Sequence, residues 1–419
     1  MKKDFIFSSE SVTDGHPDKL CDQISDAIVD HFLEQDKFAR IIAECAVSTS
    51  ILFIAARFSS DAAVDIPYVA RKVIAGVGYD QHGFDARTCS VLTSLQDLPV
   101  DELCCFDEYS LSEQEIESLP SKNQVTVFGF ACNQTPALMP LPIYLAHKIS
   151  KRLSLARHSK MLSYLAPDAK TDIGVQFRDR MPHRIHSITI TAGQVEPHLP
   201  PIEKLRADIR EMVIDPVFSD EPVKPDRNTE IFINPEGPYS PGGPTAHSGL
   251  TGRKTGIDTY GEYSRHSGAA LSGKDPLRID RIGAYAARYA AKNVVAAGLA
   301  EECEVQLSYS IPRSRPVSIQ VETFGTGKIS DDALAKMIEQ NFEFRLAGII
   351  RQFDLRNLPS RTKGGFYRKL AVYGQMGRIE MDTPWERIDS ADRLREVSGI
   401  RNLGPGLLSG TQPVTQPAD

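Results

Sequence analysis

Residues 14–35 read DGHPDKLCDQISDAIVDHFLEQ, and two apolar runs follow at once, IIAECAV at 41–47 and ILFIAARF at 51–58. In the first stretch Leu20, Ile24, Ala27, Ile28 and Phe32 recur at the spacing of one helical face, which predicts a helix from Asp18 to about Gln35. The turn Asp14-Gly15-His16-Pro17 therefore sits at a helix N-terminus. The two runs after it have the composition of strands, and a second amphipathic helix is predicted from Ile66 to Val77, broken at Gly78-Tyr79-Asp80. Helix, strand pair and helix together make a βα unit that opens an α+β domain.

Working outward, residues 96–123 are polar and acidic and carry neither the helical nor the strand period, so a long connection of the kind that forms lids is predicted there. Helical pattern returns from Pro140 to Leu155, strands are predicted at Asp172–Phe177 and Ile185–Thr191, and a helix at Ile202–Val213. The Pro-rich stretch Glu221–Arg227 closes this second unit. In the third, a Gly- and Pro-rich segment, Asn234–Lys254, leads through a Gly/Ser segment ending at Lys274 into a helix faced by Ile282, Ala286, Tyr289, Ala290, Val294 and Ala297, with Gly298 as its stop. Strict alternation at Val305, Leu307, Tyr309 and Ile311, and again at Ile319 and Val321, predicts a β-hairpin packed on that helix. The expected fold is α+β, built from three related α/β units. The expected division is 1–105, a connecting lid loop 106–123, a central unit 124–232, a C-terminal unit 233–408 and a disordered tail 409–419.

The composition excludes several classes. With 48 basic and 55 acidic residues among 419, the net charge of −7 offers no global positive field for nucleic acid or an anionic membrane. Any polyanion must be held by a local basic site. No apolar stretch reaches the ~18 residues of a membrane span and the start lacks a signal-peptide core, so a cytoplasmic protein is expected. The seven scattered cysteines show no CxxC or Cys/His ligand spacing and are expected to be free thiols.

Chemistry concentrates in three stretches. Asp14-Gly15-His16-Pro17-Asp18-Lys19 places an imidazole, carboxylates and an ammonium at a helix start, where backbone N–H groups favour anions. By itself it fits either a phosphate with magnesium or a capped helix entry with solvated charges. Gly242-Gly243-Pro244 through Gly249-Leu250-Thr251-Gly252-Arg253-Lys254 allows close backbone approach and ends in two cations, but it is neither a Walker A loop nor a dinucleotide turn. Ser272-Gly273-Lys274-Asp275, with Arg278 and Asp280, adds further cations and carboxylates.

Taken in order, the stretches 7–19, 249–254 and 272–276 resemble the three signatures of the methionine adenosyltransferase (S-adenosylmethionine synthetase) family, and Leu165–Lys170, Ala284–Arg288 and Pro384-Trp385-Glu386 are similar to further family segments. The resemblance runs collinearly from about residue 4 to 390, outside the 96–123 connection and the tail. It implies three related domains in a pseudo-threefold arrangement, and a homodimer or dimer of dimers with active sites between subunits. It also implies attack of a thioether sulfur on C5′ of ATP, with release and hydrolysis of triphosphate. His16, Lys170, Arg253 and Lys274 are then the implied catalytic residues. Asp168, Tyr239 and Lys254 complete the implied ATP site, with Tyr239 where the family has phenylalanine. The implied cofactors are Mg2+, on Asp18 and Asp280 with Glu10 as a further metal-site glutamate, and K+ at Glu44.

The acceptor side departs from the family pattern. Arg57 stands where the family has a glutamate facing the substrate ammonium, Leu98 where it has a glutamine, and His247 where it has the aspartate bridging amino acid and adenosine. Asn123 replaces an aspartate and Arg278 a lysine. Exchanging two carboxylates for positive groups costs on the order of several kcal/mol each toward an ammonium in a closed site. The expectation is an adenosyltransferase whose acceptor is methionine-like but recognised differently. Two alternatives stand beside it: an authentic synthetase whose pocket is rebuilt, and a non-catalytic regulatory partner of a complete synthetase.

Overall fold

Three larger sheets organise the described residues, each completed by a strand from a distant segment, beside a small ladder of Asp80–Gln81 with Phe84–Asp85. The computed structural model describes residues 3–400 apart from 82, 100–104, 196–198 and 241; the predicted tail at 409–419 lies outside the described residues. The first sheet runs in the order Gly249–Leu250, Arg40–Ser48, Ile51–Ser59, Ser90–Asp97. The second is ordered Phe5–Val12, Leu165–Arg178, Met181–Gln194, Glu230–Ile233. The predicted hairpin, Glu302–Tyr309 with Ser318–Glu322, forms the third sheet together with Val125–Cys132. Strands thus cross the linear division: Phe5–Val12 pairs antiparallel with the central segment, and Val125–Cys132 pairs with the C-terminal one.

Each sheet buries one face under helices. Ile41, Ala43, Cys45, Val47, Leu52, Ile54 and Ala56 alternate inward on the first sheet, beneath α1 (Pro17–Gln35) and α2 (Ile66–Val77). The helix Leu141–His158 packs on the second sheet and Ile279–Ala296 on the third. The outer face of the first sheet is open. Leu250, Ala46, Phe53 and Leu92 form one row across its four strands, and Leu250, Phe53 and Leu92 are 49%, 42% and 53% exposed. No described helix is long and apolar enough to cross a membrane.

Two expectations change. The predicted helix at 202–213 is α-helical only over Ile202–Ile209, widens to a π turn at Arg210–Ile214 and resumes to Phe218. Pro216 supplies the reason: it has no N–H, and its ring crowds the carbonyl of Met212, which accepts from Arg152 Nε at 2.9 Å instead. The 96–123 connection, read as structureless, holds a strand to Asp97 and a helix at Glu113–Ser118 closed by a Ser112–Glu115 capping box. It is riveted to the C-terminal segment by Glu108 on Arg356, Glu113 on Arg345 and Arg351, and Glu117 on Arg315.

Helix α1 is the axle. Asp18, Asp22, Asp26 and Asp30 recur every four residues, are buried, and each accepts backbone N–H groups from elsewhere in the chain. Asp18 takes Leu250 N–H at 3.2 Å, Asp22 takes Gly252 at 2.7 Å, Asp26 takes Gly273 at 2.8 Å, and Asp30 takes Tyr367 and Arg368 at 2.9 Å each. Arg281 forks onto Asp26 at 2.7 and 3.1 Å, and Lys19 bridges Asp22 and Asp258. Burial raises the Asp30 carboxyl to about 7 despite its two N–H donors.

The C-terminal segment closes on a second buried ion pair. Arg288 binds Glu386 at 2.8 Å and donates to the carbonyls of Phe130, Ala137 and Leu138, while Lys292 reaches the same carboxylate at 2.7 Å. Burial pushes the Glu386 carboxyl up, but Arg288 and Lys292 outweigh it and hold the pKa at about 2. Its contribution is therefore complete above the ordinary carboxylate value and fades as pH falls toward about 2. Glu386→Gln is expected to cost about 3 kcal/mol at neutral pH, since it strands buried cations. Denaturant midpoints of the two proteins are expected to converge in acid; a constant difference from pH 7 to pH 3 would contradict this assignment.

Candidate functional site

The turn before α1 is clamped from three sides. Asp14 accepts from Ser154 at 2.6 Å, His158 at 2.8 Å and Arg157 at 3.3 Å. Burial pushes its pKa up, but these partners prevail and keep it below the usual value. The Tyr79 hydroxyl donates to the Gly15 carbonyl, and a Cβ on Gly15 would lie 2.3 Å from Pro167, so only glycine lets the turn sit against the 165–168 strand start. His16, fixed by this turn, is the N-cap of α1, and its Nδ1 accepts the Asp18 N–H at 3.2 Å. That bond leaves the proton on Nε2. Burial lowers the His16 pKa to about 3, so the ring is a neutral donor at physiological pH.

Facing it is the glycine-rich segment. A Cβ on Gly249 would lie 2.2 Å from the Pro17 carbonyl carbon, so this strand passes directly over the helix start. Asp168 Oδ2 accepts from Gly243 N–H and His247 Nε2–H, both at 2.8 Å, while Asp168 Oδ1 is buried without a hydrogen-bond partner. Burial raises the Asp168 pKa, but the His247 bond and the His16 charge interaction bring it below the ordinary value. The His16 and His247 rings are 4.9 Å apart. The Tyr239 ring lies beside Gly242 and Asp168, since a Cβ on Gly242 would be 3.3 Å from Tyr239 Cε1 and 3.7 Å from Asp168 Cβ. His247, expected as an uncompensated positive group, is instead paired with a carboxylate.

Cations ring this entry. Lys254 is held on Glu10 at 2.8 Å, Arg253 approaches Asp18 at 3.9 Å and is 55% exposed, and Lys170 projects from the strand partner of Val12 without an ion pair among the described residues. Among the described residues Asp18 has one backbone donor, this distant guanidinium and the neutral His16 ring at 3.8 Å, and burial raises its pKa above the usual range. A carboxylate so weakly compensated suits a metal cation.

The remaining predicted residues gather elsewhere. Lys274 bridges to Ile42 through the backbone and pairs with Asp280, which also accepts from Asn123 at 3.4 Å. Arg57 pairs with Ile42 in the sheet register, Leu98 N–H donates to the Phe58 carbonyl at 2.8 Å, and Arg278 lies 3.9 Å from Asp275. Glu44 is exposed on the same outer face as Arg57. Because Gly273 is fixed to Asp26, eight residues beyond Asp18, this second group lies about 12 Å along α1 from the first. One chain therefore presents these residues in two separate groups. The aspartate ladder that sets this spacing was legible as a four-residue repeat in the sequence and was missed because charged residues on a helix are usually solvated.

Comparison with known proteins follows the same outline. Models of the N-terminal, central and C-terminal domains of S-adenosylmethionine synthetase match residues 4–99, 118–239 and 241–387. The chain is 48% identical over 410 residues to the S-adenosylmethionine synthase of Trichormus variabilis (strain ATCC 29413 / PCC 7937), covering 95% of this chain and 98% of that one. It is 47% identical to that of Microcystis aeruginosa (strain NIES-843 / IAM M-2473), with 95% and 99% covered. For Synechococcus sp. (strain JA-3-3Ab) the identity is 46%, with 93% and 97% covered.

Proposed function

Because the chain belongs to the S-adenosylmethionine synthetase family, we propose that it transfers the adenosyl group of ATP to a sulfur nucleophile, releasing triphosphate that is then hydrolysed to pyrophosphate and phosphate. The observation that carries this reading is the helix entry at His16. A neutral Nε2–H donor stands at the positive end of α1, with Lys170, Arg253 and Lys254 around it and a weakly compensated Asp18 beside it. Charge on a departing triphosphate develops where such preorganised donors are most effective, and His16 needs no protonation step to act. Asp168 and Tyr239 would hold the nucleoside, Asp168 through its free Oδ1.

Asp18 would hold magnesium, which when bound would offset part of the phosphate charge. Glu10 would take a metal once Lys254 turns from it to phosphate oxygens, Asp280 in the second group would take magnesium once Lys274 does the same, and Glu44, unpaired among the described residues, would face potassium. The six described free cysteines agree with a cytoplasmic protein.

The acceptor reading rests on Arg57, which is exposed and makes no ion pair among the described residues. A guanidinium at that place favours an acceptor without an α-ammonium, or one carrying a carboxylate. Methionine itself is the second reading, favoured by 48% identity to a named synthase over almost the whole chain. Incubation with ATP, magnesium, potassium and either methionine or other thioethers, read as adenosylated product by mass, separates them. Slow turnover of methionine against an ammonium-free thioether is expected. Arg57→Glu with His247→Asp is expected to raise kcat/KM for methionine at least ~tenfold; no gain would remove the altered-acceptor reading.

A homodimer would join the two half-sites across the open sheet face. The apolar row Leu250, Ala46, Phe53 and Leu92 supports burial against a second copy, with Arg57 and Lys274 at its rim. Phe53→Glu is expected to shift sedimentation to monomer and abolish turnover. His16→Ala and Lys274→Ala, each inactive alone, are expected to regain activity when mixed and reassociated, because one of the two shared sites is then intact. Failure of that mixture to recover activity would place the whole site in one subunit.

A further inference from the structure

We propose that His247 and Asp168 form a proton-accepting dyad, and that the sulfur nucleophile this protein adenosylates is a thiol. The inference rests on the adenosyltransferase reading above and specifies its acceptor.

The geometry assigns the protons. Asp168 is 1% exposed and is oriented by the Gly243 N–H, so the His247 ring bonded to its Oδ2 at 2.8 Å carries its proton on Nε2. The lone pair of Nδ1 is therefore free. The His247 side chain is 28% exposed, so the ring is not sealed from solvent. His16 has the opposite polarity, with Nδ1 engaged by the Asp18 N–H and the proton on Nε2. The two ring centroids are 4.9 Å apart, so a donor and an acceptor stand side by side at this entry. His16, Asp168 and His247 also bring ligand atoms within 4.8 Å of one another, but hydrogen bonds already engage His16 Nδ1 and His247 Nε2.

A thioether becomes a sulfonium without losing a proton, so its transfer needs no base. A thiol must lose one. In the balanced step the thiol sulfur forms a bond to C5′ of ATP, the C5′–O bond breaks with its electron pair leaving on triphosphate, and the S–H proton passes to His247 Nδ1 and then to solvent. The product is a neutral thioether of adenosine. Asp168 stabilises the imidazolium as it forms, as the carboxylate of a catalytic triad does for its histidine. His16 and, farther off, Asp18 are coupled to His247 by charge, and Lys170, Arg253 and Lys254 act on the same two groups.

The test uses the full chain with ATP, magnesium and potassium and two probes that differ only at sulfur, 4-mercaptobutyrate and 4-(methylthio)butyrate. Adenosylated product by mass and released phosphate are followed at pH 7 and pH 9.5. The thiol is expected to react at least ~tenfold faster than the thioether at pH 7. His247→Asn is expected to lower the thiol-to-thioether ratio ~100-fold at pH 7 and much less at pH 9.5, where a far larger share of the thiol is already ionised. A merely structural loss would reduce both probes at both pH values. Turnover of the thioether with none of the thiol overturns the dyad while upholding adenosyl transfer, and so does an unchanged ratio in His247→Asn. Absence of ATP cleavage with both probes and with methionine overturns adenosyl transfer itself. If the variant does not fold, the two probes on the wild-type protein decide alone.

Discussion

A ladder of buried carboxylates on one helix sets the positions of everything else. Asp18, Asp22, Asp26 and Asp30 are stacked one turn apart along α1, and burying four carboxyl groups is tolerable because each is met by backbone N–H groups or a cation. The partners come from residues 250–252, 273, 281 and 367–368, so segments far apart in the chain are gathered onto one helix in a fixed order. This ladder, more than any one sheet, makes three strand-and-helix units into one body. It also explains why the glycine-rich segment and the Lys274 segment lie on the same axle yet about 12 Å apart.

Electrostatics in the site follow from how deeply each group is set. His16 is buried by the clamped turn and loses its charge, which leaves a neutral donor at the positive end of a helix dipole. Lys254 and Lys274 each rest on a carboxylate, so the site holds its positive groups paired with negative ones. Arg57, open on a sheet face, and Lys170 are the exceptions, neither with an ion pair among the described residues. His247 is paired as well, and its carboxylate partner converts what the residue type alone presents as a repulsive cation into a ring of fixed polarity.

Much of this was legible beforehand. The helix entry at His16, the strand pair after it and the terminal hairpin each follow from period and turn chemistry, and the structure places them within a few residues of their predicted bounds. The short helix at Glu113–Ser118 was announced by Ser112 and Glu115 but carries too little apolar pattern to stand out. The π turn required knowing that Arg152 is at hand to satisfy the Met212 carbonyl. Pairing of Phe5–Val12 with residues 170–177 has no local signature, because any exposed strand edge of suitable length would satisfy its hydrogen bonds.

The amino-acid sequence by itself determined the family, the fold class and the identity of the charged residues at each motif. Motifs and periodicities are local in the chain and survive without knowledge of packing. Only the tertiary structure decided which of those charges meet: that Asp168 reaches His247, that Lys254 rests on Glu10, and that the two groups stay about 12 Å apart along a buried helix. Such choices depend on burial and on contacts between residues from about 80 to more than 240 positions apart, where desolvation sets the strength and even the sign of an interaction, and no pattern within a short window records them.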